Sequence, residues 1–320
     1  MKKLYKQFND ISLYHGNNID VLKTMDRESV DCVVTSPPYW GLRDYGTSDQ
    51  LGLEPTPEEY VTNLVKVFQE VHRVLKPSGT VWLNLGDSYA GSNSDKHSSP
   101  NKNTLSAKMG QTYGGIEKSI KAKVPGLKPK DLIGIPWRVA FALQADGWYL
   151  RSDIIWQKPN PMPESVKDRP TKSHEYIFLL TKSRKYYYDA DAIKEPTVSQ
   201  DKYKRDRDNP DYKFNNTPGR TKMSGLKDNK YTRKNKRDVW SINTKPYKEA
   251  HFAVFPEEIP MNCIKAGSPK GGVVLDPFVG SGTTLKVARQ LGRKAIGIDI
   301  NTEYLDLCIK RCNEIQNILI

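Results

Sequence analysis

The 320-residue sequence is short of cysteine, of long apolar runs and of the usual nucleotide fingerprints. Each shortage excludes something. No run of about 18 apolar residues occurs and the mean hydropathy is −0.67, so no transmembrane helix is expected. The basic start Met1-Lys2-Lys3-Leu4-Tyr5-Lys6-Gln7 has no apolar core behind it, so no secretory signal is expected. The four cysteines, Cys32, Cys263, Cys308 and Cys312, make a reducing, cytoplasmic compartment the default. Cys308 and Cys312 lie four apart on an expected terminal helix, but no nearby His or second Cys pair completes a zinc set, and no metal is expected.

Two motifs carry chemistry. Asp31-Cys32-Val33-Val34 is short, apolar and β-branched, as a buried parallel strand should be. It runs into Thr35-Ser36-Pro37-Pro38-Tyr39-Trp40, where two prolines stop the sheet. The Ser36 hydroxyl and Pro37 carbonyl are left as acceptors and Tyr39 offers a flat face. That cup suits a planar ring with an exocyclic NH₂, as a nucleobase amino group presents. Taken alone it also reads as an ordinary turn after a strand.

The second motif is Val273–Thr284: a buried strand ending in Asp276-Pro277-Phe278, a turn Val279-Gly280-Ser281-Gly282, then Thr283-Thr284 opening a helix to about Leu291. The glycines permit close backbone approach to a ligand, and Thr283 and Thr284 are expected to cap the helix. About 20 residues past Gly280, the strand Ala295–Asp299 ends in an acid suited to both hydroxyls of a ribose. The spacing lacks the third glycine of a dinucleotide fingerprint and the Gly-Lys-Thr of a phosphate loop. A glycine loop around an amino-acid tail, followed by a ribose acid, points to S-adenosyl-L-methionine.

With both motifs in hand, the chain resembles the DNA amino-methyltransferases that act on cytosine N4 or adenine N6, in the permuted β group where the catalytic tetrapeptide precedes the cofactor motif. Nearly the whole chain outside two basic insertions shares the likeness. The resemblance implies catalytic roles for Ser36, Pro37, Pro38 and Tyr39. It implies cofactor binding by Asp276, Pro277, Phe278, Gly280, Ser281, Gly282, Thr283, Thr284 and Asp299. The segment His251–Pro256 resembles the family's stretch before the cofactor strand, which places Phe255 and Pro256 at the cofactor. Tyr14-His15-Gly16-Asn17 resembles a Gly-Asp element near the adenine, from which it departs by carrying Asn17.

In that family the loop corresponding to Trp156–Pro163 helps hold an extruded base. Trp156, Lys158 and Asn160 are therefore expected contacts of the base or DNA, with Trp40 beside the cup a further expected DNA contact; a rigid surface turn is the other reading of the loop. Arg169–Glu175 resembles a family segment before the next strand, with His174 read as structural rather than as a base. Methylation at cytosine C5 would need a cysteine nucleophile in a Pro-Cys pair, and no cysteine here follows a proline. Ser at the head of the tetrapeptide goes mostly with cytosine in this family and Asp mostly with adenine. The expected reaction is methylation of cytosine N4 in double-stranded DNA by base flipping; the alternatives are an adenine-N6 enzyme and a non-catalytic DNA-binding relative.

Charge agrees with a DNA partner. The formal net charge is +13, yet residues 90–131 hold 8 Lys/Arg against 3 acids and residues 193–248 hold 16 against 7. The remainder is close to neutral. In the second stretch Tyr203, Tyr212, Phe214, Tyr231, Trp240 and Tyr247 interleave with the cations, and Lys202, Lys204, Arg205, Arg207, Arg233, Lys234, Lys236 and Arg237 are the expected phosphate and recognition contacts. Solvated loops are the bland reading of both stretches.

The expected fold is α/β: a doubly wound, seven-stranded, mostly parallel, Rossmann-like methyltransferase sheet with a basic target-recognition insertion. The strands are Ile11–Tyr14, Cys32–Thr35, Thr80–Leu85, Arg151–Trp156, Tyr176–Leu180, Val273–Asp276 and Ala295–Asp299. Apolar spacing predicts helices over Pro57–Leu75 and Asp131–Ala145, the second capped by Asp131 with Trp137, Ala140 and Leu143 inward. In domain terms, 1–192 is the catalytic part with a basic loop at about 90–131, 193–248 the target-recognition region, and 249–320 the cofactor part. Monomer or homodimer, an accompanying restriction endonuclease, and a prokaryotic or phage source stay open.

Overall fold

The computed structural model describes residues 3–42, 50–91, 124–196, 233–244 and 255–313. In chain order the strands are β1 (Lys3–Phe8), β2 (Ile11–His15), β3 (Val30–Thr35), β4 (Leu75–Leu85), β5 (Tyr149–Gln157), β6 (His174–Thr181), β7 (Glu195–Pro196), β8 (Arg233–Lys234), β9 (Val239–Ser241), β10 (Val273–Asp276) and β11 (Lys294–Asp299). The helices are α1 (Asn18–Lys23), α2 (Pro57–Val74), α3 (Ile135–Ala145), α4 (Glu258–Gly267), α5 (Thr283–Gln290) and α6 (Thr302–Asn313).

Two units divide the chain. One comprises 1–189 with 238–320, the other 190–237. In the first, a nine-stranded sheet runs β1-β2-β11-β10-β3-β4-β6-β5-β9. Five of its pairings are parallel and three antiparallel. All seven expected strands are present, each at or within a few residues of its expected bounds. The order is the important point. β10 and β11, late in the chain, insert between β2 and β3, in register Leu275↔Val33 and Ile296↔Ser12. The C-terminal ends of β2, β11, β10, β3 and β4 therefore share one edge, where ligands of open α/β sheets bind.

Packing explains the helices. The α2 stripe buries Tyr60, Leu64, Val67, Phe68 and Val71 against the sheet, and Thr56 caps it by accepting from Glu59 N at 3.2 Å. It ends at Val74, and Leu75, expected as its last residue, opens β4 instead. In α3, Val139, Ala140 and Leu143 are buried while Trp137 is only half-buried. That helix begins at Ile135, so Asp131 is not its cap. Asp87 takes that role from the loop after β4, its carboxylate accepting from Gly134 N (3.0 Å) and Ile135 N (3.1 Å). The smaller unit shows a 3₁₀ turn, Asp191–Ile193, a short β7/β8 ladder in register Glu195↔Lys234, and an ion pair of Lys236 with Glu195 at 3.3 Å.

Candidate active site

Asp276 closes β10 and is buried. Its Oδ1 accepts from Thr35 Oγ1 at 2.6 Å and from Phe278 N at 3.1 Å, which ties the end of β3 to the start of the glycine turn. Burial pushes its carboxyl up to about 6. Gly280 and Gly282 then take left-handed backbone, φ +48° and +82°. A side chain on Gly280 would meet no atom within 4 Å, whereas one on Gly282 would strike Cys308 Sγ at 2.3 Å. The first glycine is open to a ligand; the second is needed for packing against α6.

The threonine caps are corrected. Gly282 is the N-cap residue of α5 and gives no side-chain cap. Thr284 Oγ1 instead donates to Val34 O at 3.2 Å, locking the helix start to β3. Thr283 Oγ1 and Ser281 Oγ accept from Arg311 Nη1 at 2.8 and 3.0 Å. Arg311, a buried cation beneath the loop, went unforeseen because one arginine on a terminal helix carries no local signal. Asp299, closing β11, accepts from Gly280 N and Asn301 N, each at 2.9 Å; burial nevertheless pushes it up to about 6. Asn17 caps α1 by accepting from Ile19 N at 3.0 Å.

These elements surround one cavity of about 650 Å³. Asn17, Phe255, Pro277, Phe278, Gly280 and Asp299 line it. Asp276, Ser281 and Thr283 do so as well, and Ser36 and Pro38 reach the same space from β3. Gly282, Thr284 and Pro256 support the wall from behind, Pro256 by accepting from Ile259 N at 3.0 Å. Residues 251–254 lie outside the described residues.

Beside the cavity, the tetrapeptide is braced on all sides. Tyr60 Oη donates to Pro38 O at 2.8 Å, and Pro37 is buried. The Tyr39 ring lies on Gly86, where any side chain would come within 2.6 Å of it. Ser36 Oγ is 3.3 Å from Tyr39 Oη, which donates to Glu175 Oε2 at 2.6 Å. Asn84 Nδ2 donates to Tyr39 Oη at 2.8 Å and to Glu175 Oε2 at 2.9 Å. Lys158 forms an ion pair with Glu175, its ammonium 4.4 Å from the Trp156 ring centre. Burial, then the Glu175 charge, hold the Tyr39 phenol well above its ordinary range. Asn84 and Glu175 were not singled out from sequence. They meet only because β4 and β6 pair in the register Leu85↔Tyr176.

Trp40 and Trp156, expected at the DNA, are both turned into the core, Trp156 with its indole N–H donating to Ile242 O at 2.9 Å. For Trp40 the burial is nearly complete. It is 1% exposed, and its indole N–H donates to Glu54 O at 2.9 Å, because so large an apolar surface is better placed in the core. Lys158 is turned toward Glu175, and Asn160 clamps Thr244, donating to its carbonyl at 3.1 Å and accepting from its N–H at 2.9 Å. His174 packs edge-on against Tyr176 at 5.3 Å. Arg233 donates to Lys194 O at 2.8 Å, and Lys234 and Arg237 lie in the same small unit. Lys202, Lys204, Arg205 and Arg207 fall outside the described residues.

Comparison with known proteins agrees with this geometry. The N6/N4 family model, described as a DNA methylase, matches residues 30–310. The type II methyltransferase M.SmaI of Serratia marcescens is 48% identical over 92% of this chain and 88% of its own length. Among solved structures, the cytosine-N4-specific PvuII DNA methyltransferase superposes with a TM-score of 0.64 at 18% identity, covering 97% of this chain and 89% of that one. A candidate DNA modification methylase from Thermus thermophilus, solved with S-adenosyl-L-methionine, gives 0.55 at 22% identity over 94% of each chain. The chain belongs to the N6/N4 family of DNA methylases, enzymes that use S-adenosyl-L-methionine to methylate amino groups of DNA bases.

Proposed function

We propose that this DNA methyltransferase acts on the exocyclic N4 of cytosine in double-stranded DNA, flipping the target base into the Ser36–Tyr39 cup. One observation carries the reading: Ser36, the residue that heads the tetrapeptide, faces the same cavity as Gly280 and Asp299. The cytosine-N4 specificity in the name of the PvuII enzyme also favours it. Cofactor and base would then meet at one edge of the sheet. The cavity suits the cofactor: the space at Gly280, where a side chain would meet no atom within 4 Å, would receive an amino-acid tail, and Asp299 would accept from a ribose. When bound, the cofactor supplies an electrophilic methyl on sulfonium. The chain supplies position, acceptors and dryness.

The amino nitrogen of cytosine is a poor nucleophile because its lone pair is delocalised into the ring. Ser36 Oγ and Pro37 O, accepting its two protons, would localise that pair and aim it. Tyr39 would hold the ring by stacking, which needs the base out of the duplex. The basic region 193–248 is assigned target recognition, and residues 1–192 and 249–320 the catalysis and cofactor binding of one methyltransferase domain.

Digesting methylated DNA to nucleosides for mass spectrometry tests the assignment. N4-methylcytosine is the expected product; N6-methyladenine would keep the mechanism and overturn the base. Tyr39→Ala should forfeit about 1–3 kcal/mol of base stacking and, like Ser36→Ala, slow transfer far more than it weakens cofactor binding. Full activity in the double variant would overturn the cup itself.

A further inference from the structure

Methylating an amino group creates a proton problem that Ser36 alone does not solve. Once the nitrogen lone pair bonds carbon, the nitrogen carries a positive charge and a surplus proton. A serine hydroxyl accepts a proton only by giving up its own. Among the described residues, Ser36 Oγ donates to Tyr39 Oη, at 3.3 Å, which gives that proton a route. Tyr39 Oη in turn donates to Glu175 Oε2 at 2.6 Å. The direction is fixed by Asn84, whose Nδ2 donates to Tyr39 Oη (2.8 Å) and to Glu175 Oε2 (2.9 Å). Being a donor, that amide nitrogen cannot take the proton.

We propose that Glu175 is a positioning residue for methyl transfer, its carboxylate ending a proton relay from the target amino group through the Ser36 and Tyr39 hydroxyls. The inference rests on the reading of Ser36–Tyr39 as the base cup. The amino nitrogen's electron pair forms the new bond to the methyl carbon, and the carbon–sulfur bond breaks with its pair left on sulfur. The amino proton passes to Ser36 Oγ, the Ser36 proton to Tyr39 Oη, and the Tyr39 proton to Glu175 Oε2. One carboxylate becomes one carboxylic acid and both hydroxyls are restored. No co-reactant is required.

The surroundings suit that role. Glu175 faces Tyr39, Lys158 beyond the end of β5, Lys172 on the segment leading into β6 and His174 at its first position. Burial alone would raise Glu175, but the Lys158 ammonium and the hydrogen bonds from Lys158, Tyr39 and Asn84 bring it below the usual carboxylate range. It starts each cycle charged, with no proton of its own. A weak base is enough here, because a ring-bound amino cation has lost its delocalised lone pair and is a strong acid. At 3.3 Å the Ser36–Tyr39 contact is the longest link of the relay.

Tyr39→Phe tests the relay, since it keeps the stacking ring and leaves Lys158 paired with Glu175. Glu175→Gln keeps an acceptor for Tyr39 but is a far poorer proton acceptor. Single-turnover methylation, cofactor calorimetry and fluorescence of a 2-aminopurine placed at the target, which reports flipping, are measured on the full chain. Both variants should flip the base and bind cofactor as the wild type does, yet transfer methyl about 100-fold more slowly. The double variant should be no slower than the slower single. In both, the rate should climb with imidazole concentration, as an external base takes over, while the wild type stays flat. Wild-type speed in Tyr39→Phe beside a slow Ser36→Ala overturns the relay and leaves the cup standing. Slow transfer with lost flipping or lost cofactor affinity makes the network structural and overturns it equally. Wild-type speed in all three, Ser36→Ala included, overturns relay and cup together.

Discussion

Asp299 shows how a single residue can be both strained electrostatically and useful. The backbone N–H groups of Asn301, Gly280 and Ile300 stabilise its charge, but burial outweighs them and its carboxyl sits up at about 6. In the proposed site, ribose hydroxyls would donate to the charged form, so cofactor binding would favour the deprotonated state. The sign follows: as pH falls through about 6 the free enzyme gains this proton, and cofactor affinity is expected to fall with it and to level off above. Asp276 titrates in the same window, held by Thr35 and Phe278. Asp299→Asn separates the two. Calorimetry from about pH 5 to about pH 8 should find weak binding with no fall at low pH in that variant. A fall that persists would assign the titration to Asp276 and remove Asp299 from the ribose.

At the scale of elements, the sequence made the parallel strands legible and the edges not. Cys32–Thr35 and Val273–Asp276 announce themselves as apolar runs that end at chemistry. β1 does not: its sequence is mixed and Leu4–Phe8 is half exposed, an edge strand turned back on β2 through Asn9-Asp10, with Asn9 at φ +50°. β9 is three residues long and sits beside β5 only through Trp156↔Trp240 and its neighbours. Pairings between distant strands also hid Asn84 and Glu175, since no spacing along the chain brings Tyr39, Asn84 and Glu175 together. The cap of α3 was missed for the same reason: Asp131 stood near the helix in sequence, but Asp87 stands near it in space. Asp87→Ala should leave the first N–H groups of α3 without a partner and cost about 1–2 kcal/mol, read as a lower urea midpoint with an unchanged slope. An unaltered midpoint would mean that other groups take over the cap.

For the whole molecule, the notable economy is of charge. The described sheet and its helices pair many of their ions locally at the surface, as Arg138 with Glu58, whereas the excess over neutrality sits in residues 90–131 and 193–248. Surface pairs of this kind add little stability, so the uneven distribution serves contact with a polyanion better than it serves the fold. Replacing Lys202, Lys204, Arg205 and Arg207 by Ser should therefore weaken duplex binding without moving cofactor affinity or the urea midpoint. For every phosphate these side chains no longer neutralise, the slope of log affinity against log salt should flatten by about 0.9. A filter-binding series across salt concentrations reads both effects at once. Weaker binding at an unchanged slope would mean that these side chains read bases rather than phosphates; no change in either would leave the segment a solvated loop and return DNA binding to the sheet edge around Lys158, Asn160 and Thr244.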